Sequence, residues 1–328
     1  MKKIISVLLL VSICLFAFGC TDTRNAYKEK QFFAMDAVLT VRLWGCADSA
    51  DTHFAAIADT LSVIEGALSR TDAESDVSRI NRDRTASNLS PHTLAVLEVA
   101  KSVMTLTDGA YLPTMGAISD LWRKAGEENT LPDAAALAEA LDAARGGFTL
   151  ENGICTLPRA GAILDLGGIG KGYAVDQILS YLTEAGVMGA LVSFGSSVAT
   201  LGEKSDGKPF RISLRSPTDA SATVGALNAP VGVLSVSGDY ERFVTVNGTR
   251  YHHIIDPETG YPSVSGISSA SVLAAGGAFS DALSTALLVM GEQRARELLE
   301  ALDVEAIFIA TDGTLTHTSG LDGIFERN

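Results

Sequence analysis

Phe243-Val-Thr-Val-Asn247-Gly248-Thr-Arg-Tyr251-His252-His253-Ile254-Ile255 consists of two β-rich runs joined by Asn-Gly. Asn-Gly is the preferred centre of a type I′ turn, in which both central residues take positive φ and the turn follows the twist of the paired strands. The stretch predicts an antiparallel hairpin. Alternation along its second arm puts Tyr251, His253 and Ile255 on one face, with His252 and Ile254 on the other. Antiparallel strands need no crossover helix, so the segment argues against a doubly wound parallel sheet.

Outward from the hairpin, apolar periodicity predicts strands over 33–44, 161–166, 191–194, 210–214, 231–237, 268–274 and 307–310. Helical spacing covers 53–68, 90–107, 134–145, 172–185 and 279–290. Ser90-Pro91 supplies an N-cap followed by proline at the first helical position, and Gly109 lies just past that helix's end. Strands and helices mix without a βαβ rhythm. The expected class is α+β, with mixed sheets and packed helices in a single domain over 31–328.

The 328 residues are 47% hydrophobic and 20% charged, with 31 glycines and a net charge of −14. That charge opposes non-specific adhesion to nucleic acid or anionic lipid. Met1-Lys2-Lys3 and the apolar run to Phe18 read as a secretory signal peptide over 1–19. Gly19-Cys20 resembles a bacterial lipobox, although Ala17 stands where Leu is usual. Cys20 is therefore the expected lipidation site and 20–30 the tether, placing the protein outside the cytoplasmic membrane on a lipid anchor. Cys46 and Cys155 remain, and both are expected as buried thiols.

Leu164-Asp165-Leu166-Gly167-Gly168-Ile169-Gly170-Lys171-Gly172-Tyr173 joins a strand to a helix. Glycines permit close backbone approach to a ligand, free N–H groups at a helix start favour an anion, and Lys171 adds a positive charge. Walker A would require Gly at Asp165 and Ser or Thr at Gly172, so this is a different loop. A glycine-rich turn carrying an exposed lysine fits the same residues. Asp281, Ser284 and Thr285 share one helical face, and one carboxylate with hydroxyls suits Mg²⁺. Ser280 or Asp281 as a simple helix cap fits as well. Of the adjacent histidines at most one serves a site, and His253 is the choice over a half-buried strand histidine. The loop Thr107-Asp-Gly-Ala110-Tyr111-Leu112-Pro-Thr-Met-Gly116 offers Tyr111 as a surface for a flat ligand.

The order of these segments, with Met35-Asp36-Ala37, Ser75 to Asn81, Ser235 to Arg242 and His253-Ile-Ile-Asp-Pro-Glu-Thr-Gly260, closely resembles the ApbE-type FAD:protein FMN transferases. The resemblance spans nearly the whole mature chain and implies one ApbE-like domain with T-fold-like halves. It implies that FAD is cleaved with Mg²⁺ and that FMN passes to a Thr or Ser hydroxyl of an extracytoplasmic flavoprotein, releasing AMP. Carried over by position, Met35, Thr71, Ala110, Tyr111, Leu112, Asp165, Lys171 and Ile255 contact FAD. Gly168, Asp281, Ser284 and Thr285 surround the metal. Lys171 and Asp281 are implied in catalysis, with His253 and a metal-site Asp as the candidate bases. Leu112 replaces the acid usual in the family, Thr71 an aromatic, and Gly195-Ser196 a Gly-Gly. A flavin-binding lipoprotein without catalysis and an Mg²⁺-dependent FAD pyrophosphatase share the same pocket.

Overall fold

The structure, a computed structural model, describes residues 27–228 and 230–328. The predicted signal peptide and Cys20 lie outside the described residues. The chain begins with β1 (Tyr27–Ala34) and β2 (Ala37–Trp44), followed by α1 (Ala50–Leu68), α2 (Asp76–Asp83), β3 (Thr85–Ala86) and α3 (Pro91–Leu106). Then come α4 (Gly116–Glu128), α5 (Ala134–Ala144), β4 (Thr149–Glu151), β5 (Ile154–Thr156) and α6 (Gly170–Glu184). Strands β6 (Gly189–Phe194), β7 (Ser197–Gly202), β8 (Arg211–Arg215), β9 (Thr223–Asn228) and β10 (Val233–Gly238) continue the chain. The predicted hairpin is β11 (Phe243–Val246) and β12 (Thr249–His252). The chain closes through β13 (Ile267–Ala274), α7 (Gly277–Met290), α8 (Glu292–Leu299), β14 (Glu305–Ala310), β15 (Leu315–His317) and β16 (Phe325–Arg327).

An eight-stranded antiparallel sheet ordered β1-β2-β6-β7-β10-β13-β14-β15 forms the centre. Helices α1, α6 and α7 lie against one face, and α3 packs behind them. The three-stranded sheet β16-β9-β8 covers part of the other face through Ile212, Leu214 and Leu227 against Leu234, Leu273 and Ile307. Every residue of β13 is buried, as a strand covered on both faces must be. A satellite core of Ile118, Trp122, Leu137, Leu141 and Val246 joins α4 and α5 to the β11–β12 hairpin. The α+β expectation holds in an arrangement of packed helices and antiparallel sheets.

Several expectations change. The single strand over 33–44 is a hairpin that turns at Met35 and Asp36, with φ of 50° and 56°. Asp36 is a tolerated choice for positive φ but Met35 is not, so the pair carries little turn signal. Tertiary contacts hold the turn instead: the Met35 N–H donates to Glu65 Oε1 at 2.7 Å, and the Met35 methyl lies over Gly170. Residues 27–30, expected as tether, begin β1, where Tyr27 packs on Trp44 and Glu29 pairs with Arg42 at 2.6 Å.

No strand forms over 161–166; only Ile163 bridges to Met115. The Asn81 amide takes the place of a partner strand, donating to the Leu164 carbonyl at 2.9 Å and accepting its N–H at 2.7 Å. The predicted alternation past His252 fails because β12 stops there. Both remaining cysteines are free thiols, but only Cys155 is fully buried and Cys46 is half-buried. Helices α2, α4 and α8 were not predicted, because short polar helices carry few apolar residues to mark a period.

Candidate active site

Helices α6 and α7 cross with their backbones touching. A Cβ on Gly172 would fall 2.0 Å from the Gly277 carbonyl oxygen, and one on Gly277 would fall 2.4 Å from that of Gly172. Each helix then caps the other. Asp281 Oδ2 of α7 accepts the Gly172 N–H at 3.1 Å. Asp176 of α6 accepts the N–H groups of Gly277 at 2.5 Å and Ala278 at 2.9 Å. These are the orphan donors at the start of each helix. The prediction that Ser280 or Asp281 caps its own helix is therefore corrected: α7 has Gly276 as N-cap with no side-chain bond, and Asp281 serves α6. Burial pushes the Asp176 carboxyl upward and the neighbouring Asp281 adds to the rise, while the two N–H bonds oppose it.

This crossing forms the floor of a cleft of about 570 Å³. Helix α4 and the β11–β12 hairpin, packed on each other, both contribute to its lining, as does the loop before α6. Of the residues singled out from sequence, Ala110, Tyr111, Leu112, Asp165, Gly168, Lys171, His253, Ile255, Asp281 and Thr285 all line it. Met35, Thr71 and Ser284 do not. Met35 packs beneath the loop against Gly170, and exposed Thr71 bonds only to Ser69. Ser284 is wholly buried one step behind the wall, donating to the Asp281 carbonyl at 2.8 Å. Ser237 Oγ, on the cleft surface, links it forward, lying 2.8 Å from Ser284 Oγ and 3.1 Å from Thr285 Oγ1.

Lys171, on the first turn of α6, donates to the Gly167 carbonyl at 2.7 Å and stays solvent-accessible. Asp165 accepts the Gly167 N–H at 2.9 Å through Oδ1 and Arg70 at 2.6 Å through Oδ2. Tyr111 is 4% exposed, and its hydroxyl has no hydrogen-bond partner among the described residues. Burial, reinforced by Asp281 and Asp165, holds its pKa well above the usual tyrosine value, so it remains a proton donor. A buried donor without a partner is costly unless a ligand satisfies it.

His253 donates twice to one carbonyl, with both its backbone N–H and Nδ1 lying 3.0 Å from the Arg242 oxygen. That bond assigns the proton to Nδ1 and leaves Nε2 as an acceptor. Crowding by the surrounding protein lowers the imidazole pKa to about 4, against the Arg242 hydrogen bond and with help from the Arg242, His252 and Lys171 charges. The ring edge remains open to the cleft, so it is a neutral base in contact with solvent.

The donor set fits a hard cation. Among the described residues no cluster of three or more His, Cys, Asp or Glu forms a metal cage. What the cleft offers is the Asp281 carboxylate, the Thr285 hydroxyl and the Gly168 backbone, which lies beside Thr285 Oγ1. One carboxylate with neutral oxygens suits Mg²⁺, which keeps waters and takes further oxygens from substrate phosphates. Tyr111, whose hydroxyl is buried and unpartnered among the described residues, lines the same cleft.

Sequence reading missed Arg70 and Arg123 and set His252 aside in favour of His253, whereas Ser237 and Arg242 fall within the Ser235–Arg242 stretch that the sequence singles out. Arg123, Ser237, Arg242 and His252 line the cleft, whereas Arg70 reaches it through Asp165. Only the excess of acid gives a basic wall any prior meaning; nothing local in the sequence marks Arg70 or Arg123.

Residues 35–308 match the ApbE family. Among curated relatives, an FAD:protein FMN transferase of Klebsiella pneumoniae is 33% identical over 253 residues, 75% of this chain and 78% of that protein. One of Treponema pallidum is 35% identical over 248 residues, covering 69% of this chain and 68% of its own length. The crystal structure of the ApbE protein of Thermotoga maritima superposes with a TM-score of 0.82 at 28% identity, covering 92% of this chain and all of that one. Flavin transferase ApbE from Vibrio cholerae superposes with a TM-score of 0.78 at 27% identity, over 91% and 99% of the two chains. With the family match spanning most of the chain and solved ApbE structures sharing its fold, the chain belongs to the ApbE family.

Proposed function

We propose that this protein cleaves the pyrophosphate of FAD and transfers FMN to a Thr or Ser hydroxyl of a partner protein, releasing AMP. The supporting observation is the convergence on one cleft of Lys171, the open glycine loop, the Asp281–Thr285 pair and the unpartnered Tyr111 hydroxyl. In a chain of net charge −14, a pyrophosphate needs such local compensation. Asp281, Thr285 and the Gly168 carbonyl would hold Mg²⁺, with Ser284 supporting Thr285 through Ser237. The ion supplies neutralisation of charge at the phosphates.

The remaining roles belong to the chain itself. Lys171 binds the phosphates, and Tyr111 donates its free O–H to the same group. His253 Nε2 takes the proton of the acceptor hydroxyl as the new P–O bond forms. The bond from the FMN phosphorus to the bridging oxygen breaks, and AMP carries that oxygen away. Ala110, Leu112 and Ile255 offer apolar surface to the rings, and Asp165 accepts from substrate N–H.

The acceptor is an extracytoplasmic flavoprotein such as a redox-complex subunit, reached by an exported enzyme anchored through lipidated Cys20. Incubation with FAD, Mg²⁺ and a candidate FMN-binding domain, read by intact mass, tests the reading. An acceptor heavier by one FMN together with AMP release supports it. FMN free in solution would show a pyrophosphatase, and intact bound FAD a binding protein.

A further inference from the structure

Residue 71 was the expected flavin contact near the end of α1, yet the side chain that reaches the site from there is its neighbour. Arg70 stands behind the cleft with its side chain 25% exposed. One guanidinium nitrogen donates to Asp165 Oδ2 at 2.6 Å and the other to Asp120 Oδ2 at 2.7 Å. Asp120 belongs to α4, which presents Ser119, Trp122 and Arg123 to the cleft. Asp165 belongs to the loop carrying Gly167 and Gly168, and its backbone N–H donates to the Pro113 carbonyl at 2.7 Å. A single planar cation thus joins the end of α1, helix α4 and the loop before α6. Asp165 Oδ1 is held by the Gly167 N–H and Oδ2 by Arg70, so both oxygens are oriented and each keeps a lone pair.

We propose that Arg70 is a positioning residue for the substrate: it clamps Asp165 between α4 and the glycine loop, so that Asp165 meets an N–H donor of FAD in a fixed orientation. The proposal rests on the assignment of the cleft to FAD. Lysine cannot replace this arginine, because a point charge on a flexible stem does not span two carboxylates in the fork geometry that Arg70 occupies. The effect belongs to binding, since Arg70 touches none of the reacting atoms.

The test is FAD affinity, followed by quenching of flavin fluorescence, in wild type, Arg70→Ala, Arg70→Lys, Asp165→Asn and the Arg70→Ala/Asp165→Asn double variant. Arg70→Ala should weaken FAD binding about tenfold, and Arg70→Lys should restore little of it, because a charge-assisted bidentate clamp is lost in both. In the Asp165→Asn background, Arg70→Ala should add less than about a twofold further loss, because residues acting through one contact are not additive. Turnover at saturating FAD should stay within about twofold of wild type while KM rises, the signature of lost uniform binding. Arg82→Ala, an exposed arginine paired only with its neighbour and the Ala73 carbonyl, should change nothing.

Affinity of Arg70→Ala within about twofold of wild type, or an equal loss in both backgrounds, would overturn the proposal. If Arg70→Ala is insoluble, Arg70→Lys decides by the same criteria. FAD binding without FMN transfer by wild type would sink the transferase reading and leave this one standing. Wild type that binds no FAD would end both.

Discussion

Asp281 of α7 accepts the backbone N–H of Gly172 of α6 at 3.1 Å, so the carboxylate proposed to hold the metal also closes the start of the neighbouring helix. Asp176 makes the reverse connection, from α6 to the start of α7. The site is thus built where two helix starts meet.

The dual role of Asp281 can be separated. Asp281→Asn keeps an oxygen for Gly172 but loses the charge, so it should melt close to wild type and transfer almost no FMN. Asp281→Ala also strands a buried donor, which costs about 1–3 kcal/mol. It should melt earlier and be equally inactive. Thr285→Val, which removes one neutral oxygen, should fall between wild type and both Asp281 variants across a Mg²⁺ titration. Wild-type transfer by Asp281→Asn would move the metal site elsewhere.

Gly172→Ala should destabilise the protein even though alanine favours helices. The new methyl would meet the Gly277 carbonyl at 2.0 Å, against backbone that has no rotamer to escape into. Overpacking of this kind costs about 1–3 kcal/mol, visible as a lower Tm. An unchanged Tm would show that the helices separate freely.

Lys171→Ala should leave the Tm nearly unaltered, since the side chain is half-buried and among the described residues bonds only to the Gly167 carbonyl. FAD affinity should fall by about tenfold or more with the loss of a charge-assisted hydrogen bond to phosphate. Equal affinity in a direct binding titration would remove the phosphate role of this loop.

His253 should titrate near pH 4, well below the ordinary histidine value of 6.5, and the shift should be readable from its ring resonances by NMR. The folded state then binds fewer protons than the unfolded one between those values. Its contribution therefore favours folding above about pH 6.5 and is lost as pH falls toward 4. Transfer should keep its base in working form at pH 5, and His253→Gln should lower the rate at every pH in that range. A ring that titrates at or above 6.5 would contradict the desolvation that lowers it.

Cys20→Ala should abolish lipid attachment and release the protein from the membrane fraction. Undiminished detergent partitioning of this variant would remove the lipid anchor from the account.

Much of this protein is local and so was determined by sequence alone. The Asn247-Gly248 hairpin and the Ser90-Pro91 helix start follow from φ preferences and caps that neighbouring residues impose on one another. Part of the cleft's lining was legible for the same reason, because Lys171, Asp281 and Thr285 occur in short segments with distinctive residue types. Tertiary structure decided the rest. Met35 turns with positive φ because Glu65 and Gly170 hold it, although a methionine does not announce a turn. Leu164 is satisfied by the Asn81 side chain in place of a strand. Asp281 caps a helix 109 residues away in place of its own. Arg70, silent in the sequence, gains meaning only when Asp120 and Asp165 are brought to its two ends. Such roles depend on which distant backbone or charge arrives within hydrogen-bond distance, and that is settled by packing of the whole core rather than by any local pattern.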